Sequence, residues 1–210
     1  MYTLFYSPGA ASLVVHWLLI ETGAAHELRK LDTQAGEHKR PEYLALNPNG
    51  LIPTLLVDGR PVYEAAALVL HLADAHPTAG LAPAPGSVER AQYYQWILHL
   101  ANTLQPAFRH WFYPQEAAGE ANAEAAKAQA RARIEAAWER IDAHLGAHGP
   151  YLLGGHVSAA DFLLTMLMRW SRNMPRPASD WPHLAGLIVR MKARPSFAEL
   201  YAREGLTEWA

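Results

Sequence analysis

The chain has 210 residues, of which 50% are hydrophobic, and its formal net charge is −2. This length accommodates one large or two small domains with cores of their own. Residues 1–80 carry 5 basic and 8 acidic side chains and the remainder carries 13 and 12, so neither part is basic enough to indicate nucleic-acid binding. No apolar run approaches the ~20 residues of a membrane span, and the first residues read as a strand rather than a signal peptide.

The chain contains no cysteine. Disulfides, thiolate metal ligands and every mechanism that needs a protein thiol are therefore excluded. His144 and His148 are four residues apart, but no third ligand accompanies them, so no metal site is predicted. The absence of cysteine fits a cytoplasmic protein.

The first part of the chain predicts alternating strands and helices. A strand at Tyr2–Tyr6 is followed by a helix over 13–22, for which Ser12 is the expected N-cap, and by a strand over 27–31. This short crossover predicts a parallel, right-handed strand pair. Asp58-Gly59 between two apolar runs predicts a hairpin over 54–63, and a helix follows over 64–75. The order βαβ then ββα is the thioredoxin-like arrangement.

From residue 87 onward the sequence predicts only helices, after a Pro- and Gly-rich linker over 77–86. The first helix is expected to kink at Pro106, which lacks an N–H. The second, over 120–148, carries its apolar residues on one face. A third begins at Ser158 as N-cap with Asp161 at N3, which assigns Asp161 a structural rather than a catalytic role.

One stretch, residues 47–65, contains Asn-Pro-Asn-Gly-Leu-Ile-Pro-Thr-Leu, the predicted hairpin and then Glu64-Ala65. Together with Leu-Phe-Tyr-Ser-Pro-Gly-Ala-Ala-Ser at residues 4–12, it resembles the glutathione S-transferases, most closely their bacterial beta-type members. The resemblance covers essentially the whole chain. It implies a thioredoxin-like, glutathione-binding domain over 1–76, the linker over 77–86, and an all-helical domain over 87–210 with a pocket for an apolar co-substrate.

The resemblance also implies a set of binding residues. Ile52 and a cis Pro53 would pair through the backbone with the extended tripeptide. Glu64 would receive the γ-glutamyl ammonium, and the helix start at Ala65 would receive the neighbouring carboxylate. As plain sequence, Glu64 would only complement its own helix dipole. Most relatives carry serine at the position of Ala65, and losing that bond to a charged group would cost about 1.5–3 kcal/mol.

His38 and Lys39 resemble a segment that places a histidine and a lysine near the glycine carboxylate of glutathione. The alternative is that this charged run is solvated surface. Ala11 stands where beta-type members carry their cysteine, and Gln105 stands where bacterial relatives carry a histidine. These departures, together with Ala65, put the usual beta-type chemistry in question.

Two hydroxyls remain as candidates to stabilise the glutathione thiolate. Ser12 lies at a helix start and Tyr6 ends the first strand. We expect Ser12 to be the better donor because the helix dipole adds to its hydroxyl. The alternatives are that Ser12 is only a helix cap and that Tyr6 is a core aromatic.

Three functions are compatible with these features. The first is conjugation of the glutathione thiol to apolar electrophiles, as in a detoxification enzyme. The second is a binding or scaffold protein that keeps the fold with little activity. The third, a zeta-type isomerase, ranks last because its Ser-Ser/Cys pattern is absent.

Aromatic side chains follow Pro106 and could form either core or the wall of the co-substrate pocket; they are Phe108, Trp111, Phe112, Tyr113 and, further on, Trp170 beside Arg169. The family resemblance further implies a two-fold symmetric homodimer. The surface expected for it comprises Tyr93 and Tyr94 with Ala67, Leu70 and His71.

Overall fold

The computed structural model describes residues 1–209. The chain separates into two compact units. The first consists of Met1–Ala82 and a C-terminal segment that begins at Lys192, and the second consists of Pro83–Met191.

The regular elements alternate at first and are helical thereafter. The strands are β1 (Tyr2–Tyr6), β2 (His26–Lys30), β3 (Thr54–Val57) and β4 (Arg60–Tyr63). The helices are α1 (Ser12–Glu21), α2 (Pro41–Leu44), α3 (Ala65–Ala75), α4 (Val88–His99), α5 (Gln105–Phe112), α6 (Pro114–Ala118), α7 (Ala123–His148), α8 (Ala159–Trp170), α9 (Pro182–Lys192) and α10 (Pro195–Glu204). This order confirms the predicted fold class, a thioredoxin-like α/β unit with an all-helical one. No helix within residues 1–209 combines the length and apolar character that crossing a bilayer requires.

The sheet of the first unit has the strand order β2-β1-β3-β4. β1 pairs parallel with β2, as the short crossover predicts, and antiparallel with β3, which pairs antiparallel with β4. Asp58 and Gly59 both have positive φ, 49° and 79°, which a two-residue hairpin turn of this hand requires. The predicted hairpin is therefore confirmed.

Helix α1 is the centre of the first unit's core. Its residues from Ser12 to Leu19 are all buried, and it packs on β1, α3 and α10. The prediction that Ser12 is the N-cap was wrong. The cap position is Ala11, because the Ser12 hydroxyl lies inside the first turn and is bonded to the backbone of Ser7 instead.

In the helical unit, the disruption predicted at Pro106 takes the form of a π-helical segment over Leu100–Leu104, between α4 and α5. Proline offers no N–H to the carbonyl four residues before it, so a regular α-helix would leave that carbonyl unbonded. A π segment pairs each carbonyl with the N–H five residues further on, so it can accommodate the missing donor.

Helix α8 is buried along nearly its whole length. The Asp161 carboxylate accepts hydrogen bonds from the Ser158 N–H (2.8 Å), the Ser158 hydroxyl (3.0 Å) and the Leu152 N–H (2.9 Å). Complete burial raises the pKa of Asp161 to about 6, against the lowering effect of these bonds. The structural role predicted for Asp161 is confirmed.

Candidate functional site

A loop between α2 and β3 presents the Ile52–Pro53 segment, and two buried side chains hold it. The Tyr43 hydroxyl bonds to the Leu51 carbonyl (2.7 Å) and to the Thr54 hydroxyl (2.8 Å). The Asn47 amide donates to the same Leu51 carbonyl across 2.9 Å and accepts from the Asn49 N–H across 3.1 Å. This network fixes the residue immediately before Ile52.

The Ile52–Pro53 peptide bond is cis, as expected. Pro53 is buried immediately before β3, and Ile52 is half-buried. Within residues 1–209, the backbone N–H and carbonyl of Ile52 form no hydrogen bond. An extended peptide can therefore pair with this residue as a short extra strand.

Lys39 lies beside this loop in the 3-10 turn Glu37–Lys39. Its ammonium donates to the Gly50 carbonyl across 2.7 Å. Gly50 has a φ of +55°, and a Cβ there would lie 2.9 Å from the Lys39 Nζ and 3.0 Å from the His38 carbonyl oxygen. The segment is thus packed against a position that only glycine fits. His38 is half-buried in the same turn.

Glu64 occupies the N-cap position of α3 with φ 76° and ψ 108°, a conformation that non-glycine residues rarely adopt. Its side chain is exposed. The first hydrogen bond back into the helix runs from the Leu68 N–H to the Glu64 carbonyl. The N–H groups of the three residues before Leu68 are therefore the unpaired donors of a helix start, with Ala65 the first of them. Strained residues of this kind are concentrated at binding sites.

The loop that precedes α1 is held from inside by Ser12. The Ser12 hydroxyl is buried, donates to the Ser7 carbonyl (3.1 Å) and accepts from the Ser7 N–H (3.3 Å). Its single hydrogen is thereby committed to the backbone. The N–H groups of Ala11 and Ser12 form no hydrogen bond within residues 1–209, and they open α1.

Tyr6 is 8% exposed, and its ring lies 5.8 Å from that of His16. Burial, and to a lesser degree the charge of Glu204, raise the pKa of Tyr6 above its ordinary value of 10.0. The phenol therefore stays protonated at neutral pH and keeps a hydrogen to donate.

Strand register brings these segments to one end of the sheet. Phe5, Thr54 and Tyr63 are neighbours across β1, β3 and β4. Tyr6, Pro53 and Glu64 each lie one residue from this row, so the first loop, the cis-proline loop and the start of α3 meet at the same end. The arrangement offers free backbone donors, a free strand edge and an exposed carboxylate to a single peptide-sized ligand.

Sequence reasoning missed several residues that shape this site. Tyr43 and Asn47 orient the cis-proline loop, and Glu204 accepts from the Gly9 N–H across 2.8 Å. The Asn-Pro-Asn-Gly turn predicted a tight loop but did not indicate which side chains bond to it. Glu204 lies 195 residues from Gly9, and no local pattern relates the two.

Within residues 1–209, no three histidine, aspartate or glutamate side chains are grouped so that they could hold a metal ion.

The aromatic cluster in the helical unit divides between core and surface. Phe108 is fully buried against Trp138 (ring centroids 6.1 Å apart) and Trp170 (5.8 Å). Phe112 is 47% exposed, stacks on Phe108 and meets the edge of Trp170. Phe108 is therefore core, whereas Phe112 offers an apolar surface. Gln105 is half-buried at the start of α5.

Two family models match the chain. Residues 10–75 match the glutathione S-transferase N-terminal domain, and residues 124–203 match the glutathione S-transferase C-terminal domain. A curated relative, glutathione S-transferase GST-4.5 of Xanthomonas campestris, is 31% identical over 207 residues, which cover 97% of this chain and 98% of the relative.

Solved structures agree with these matches. A glutathione transferase homologue from Sulfitobacter, with bound glutathione, is 28% identical with a TM-score of 0.90 and covers 99% of each chain. A bacterial beta class glutathione S-transferase from Sphingomonas chungbukensis is 31% identical with a TM-score of 0.85, covering 98% of this chain and all of that one. The resemblance seen in the two N-terminal motifs is confirmed, and the chain belongs to the glutathione S-transferase family.

Proposed function

We propose that this protein is a glutathione transferase that conjugates the glutathione thiol to apolar electrophiles. The observation that carries the proposal is the meeting of the Ile52 backbone edge, the Glu64 carboxylate and the Ala65 helix start at one end of the sheet. Glutathione has an amine and a carboxylate at one end, a peptide in the middle and a second carboxylate at the other end. The site offers each of these a complementary group.

The geometry supports the following binding roles. Ile52 and Pro53 present the strand edge to the cysteinyl backbone, and Glu64 accepts from the γ-glutamyl ammonium. The N–H groups at Ala65 receive the adjacent carboxylate. Lys39 provides positive charge and His38 a ring nitrogen for the glycine carboxylate, and Lys39 additionally holds the loop through Gly50.

Thiol activation is assigned to groups around the first loop. A donor that binds a thiolate lowers the pKa of the thiol. Because the Ser12 hydroxyl already donates to Ser7, we place the donation on the Tyr6 phenol and on the N–H groups of Ala11 and Ser12. The Ser12 side chain then contributes by holding the loop. No cysteine is available for a mixed disulfide with glutathione.

The apolar co-substrate is assigned to the exposed aromatic surface of the helical unit around Phe112.

We further propose a homodimer, a cytoplasmic location and a role in detoxification. The prediction that Tyr93 belongs to the dimer surface was wrong, because Tyr93 is fully buried. Tyr94 and Leu98, on α4, are 39% and 51% exposed and present apolar area instead.

The test is retention of the full chain on immobilised glutathione, followed by conjugation of a dinitrophenyl halide. The transferase proposal predicts both retention and turnover above the uncatalysed rate. Retention without turnover against a panel of electrophiles would support the second candidate, a binding protein, which is favoured by the alanines at positions 11 and 65. Failure of both would overturn the proposal.

A further inference from the structure

A groove in the helical unit lies between the π-helical segment and α7 and is separate from the elements assigned to glutathione. Its volume is about 390 Å³, within the size range of small-molecule sites. It is lined by Asn102, Thr103, Pro106, Ala107, His110, Arg133, Ala136 and Arg140. No carboxylate is among these lining residues.

Two arginines give the groove its charge. Arg133 and Arg140 are exposed, and neither forms an ion pair or hydrogen bond within residues 1–209. They stand seven residues apart on one face of α7, and Ala136 lies between them. Ala136 also lines the groove, with a side chain of a single methyl group.

The opposite wall supplies neutral polar groups. Asn102 and Thr103 belong to the π-helical segment, and both are exposed. An amide and a hydroxyl can each donate to an oxyanion. His110, on α5, adds a ring nitrogen to the lining. Pro106, Ala107 and Ala136 form the apolar part of the lining. π segments of this kind are frequent at functional sites.

The charges match a compact dianion. A phosphate monoester carries about −1.5 to −2 at neutral pH and has three strong acceptor oxygens. One guanidinium group can donate two parallel hydrogen bonds to two oxygens of a phosphate. Arginine is therefore the preferred residue for phosphate recognition. A monoanionic carboxylate would leave one guanidinium without a counter-charge, and a neutral molecule would leave both.

We propose that this groove binds a small organic phosphate monoester, with the phosphoryl group between Arg133 and Arg140 and the organic part over Pro106, Ala107 and Ala136. The polar groups of Asn102, Thr103 and His110 bind the remaining phosphoryl oxygens. The site is independent of glutathione.

The test is calorimetric titration of the full chain with phenyl phosphate at about pH 7.5, where the phosphate is mostly dianionic, with and without glutathione. We expect the same dissociation constant in both conditions. Inorganic phosphate, which lacks the ring, and benzoate, which carries one charge, should each bind more weakly. No detectable binding of phenyl phosphate, equal binding of benzoate, or competition by glutathione would overturn the proposal.

Variants then locate the site. Arg133→Gln and Arg140→Gln should each weaken phenyl phosphate binding by about tenfold or more, since each removes a charged hydrogen-bond donor. Ala136→Glu should abolish binding by filling the groove with a negative charge. Arg131→Gln is the matched control, because Arg131 lies on the same helix and pairs with Glu135 outside the groove. Equal weakening in Arg131→Gln would show a nonspecific charge effect and refute the site.

Discussion

The Glu204 carboxylate at the end of α10 accepts a hydrogen bond from the backbone N–H of Gly9 across 2.8 Å. Its other oxygen accepts from the buried His16 imidazole, also across 2.8 Å. The last helix of the chain therefore fixes the loop that opens α1, where the thiol of glutathione is expected. This arrangement links the stability of the first unit to the geometry of its site.

Replacing Glu204 should destabilise the protein and loosen this loop. Glu204→Ala removes the carboxylate that accepts from the Gly9 N–H and from the fully buried His16 imidazole, and an unpaired buried donor costs about 1–3 kcal/mol. Urea unfolding measures the loss, and hydrogen exchange should show faster exchange in residues 7–12. The control is Glu199→Ala, which removes an exposed carboxylate from the same helix. Equal stability and equal hydrogen exchange in the two variants would show that Glu204 does not fix the loop.

Gly50 should not tolerate a side chain. Gly50→Ala places a Cβ 2.9 Å from the Lys39 Nζ and 3.0 Å from the His38 carbonyl, at a φ of +55°. The variant should lose stability and also bind glutathione more weakly, because the Ile52 edge shifts. Gly59→Ala is the matched control, since Gly59 has a φ of +79° but open space around its Cα. Equal glutathione affinity in both variants would contradict the packing argument.

The thiol pKa of the glutathione complex should respond to Tyr6. If the phenol donates to the thiolate, Tyr6→Phe raises the apparent thiol pKa towards the free value of about 8.5. The pH dependence of kcat/KM for conjugation reports this pKa. Ser12→Ala should chiefly lower stability and affect that pKa less, since its hydroxyl bonds to Ser7. A larger pKa change in Ser12→Ala than in Tyr6→Phe would return the donor role to Ser12.

Asp161 should make stability depend on pH in an unusual direction. Its pKa is about 6 in the folded protein and 3.8 as the ordinary value, so the folded state binds more protons between these pH values. Protonation of Asp161 therefore stabilises the folded state at low pH, and this stabilisation is lost as the pH rises through 6. Asp161→Asn removes it, so the variant should be more destabilised at pH 5 than at pH 7.5, by roughly 1 kcal/mol. Denaturant titrations at both pH values measure the difference; a smaller deficit at pH 5 would contradict the assignment.

Local signals in the sequence predicted most of the fold because each has a local cause. The Asp58-Gly59 turn, the Ser158–Asp161 capping pair and the apolar face of α7 depend on residues a few positions apart. The binding roles of Ile52 and Glu64 were predicted from a family resemblance rather than from such local signals. The Gly9–Glu204 bond and the burial of Tyr93 depend on tertiary packing. The hydrogen-bond partner of the Ser12 hydroxyl could not be predicted either, because the sequence does not distinguish a serine that caps a helix from one whose side chain points inward.

Glutathione binding by Glu64→Gln tests the proposed site. The substitution keeps the size of the side chain and removes the charge that faces the ligand ammonium, so the parent should bind glutathione and the variant should bind it about tenfold more weakly or worse. Stability should change little, because the Glu64 side chain is exposed. Glu42→Gln removes an exposed carboxylate from the first turn of α2 and should leave the affinity unchanged. Calorimetric titration of the three proteins with glutathione gives the result, and equal affinity in the parent and Glu64→Gln would show that glutathione does not bind where we place it.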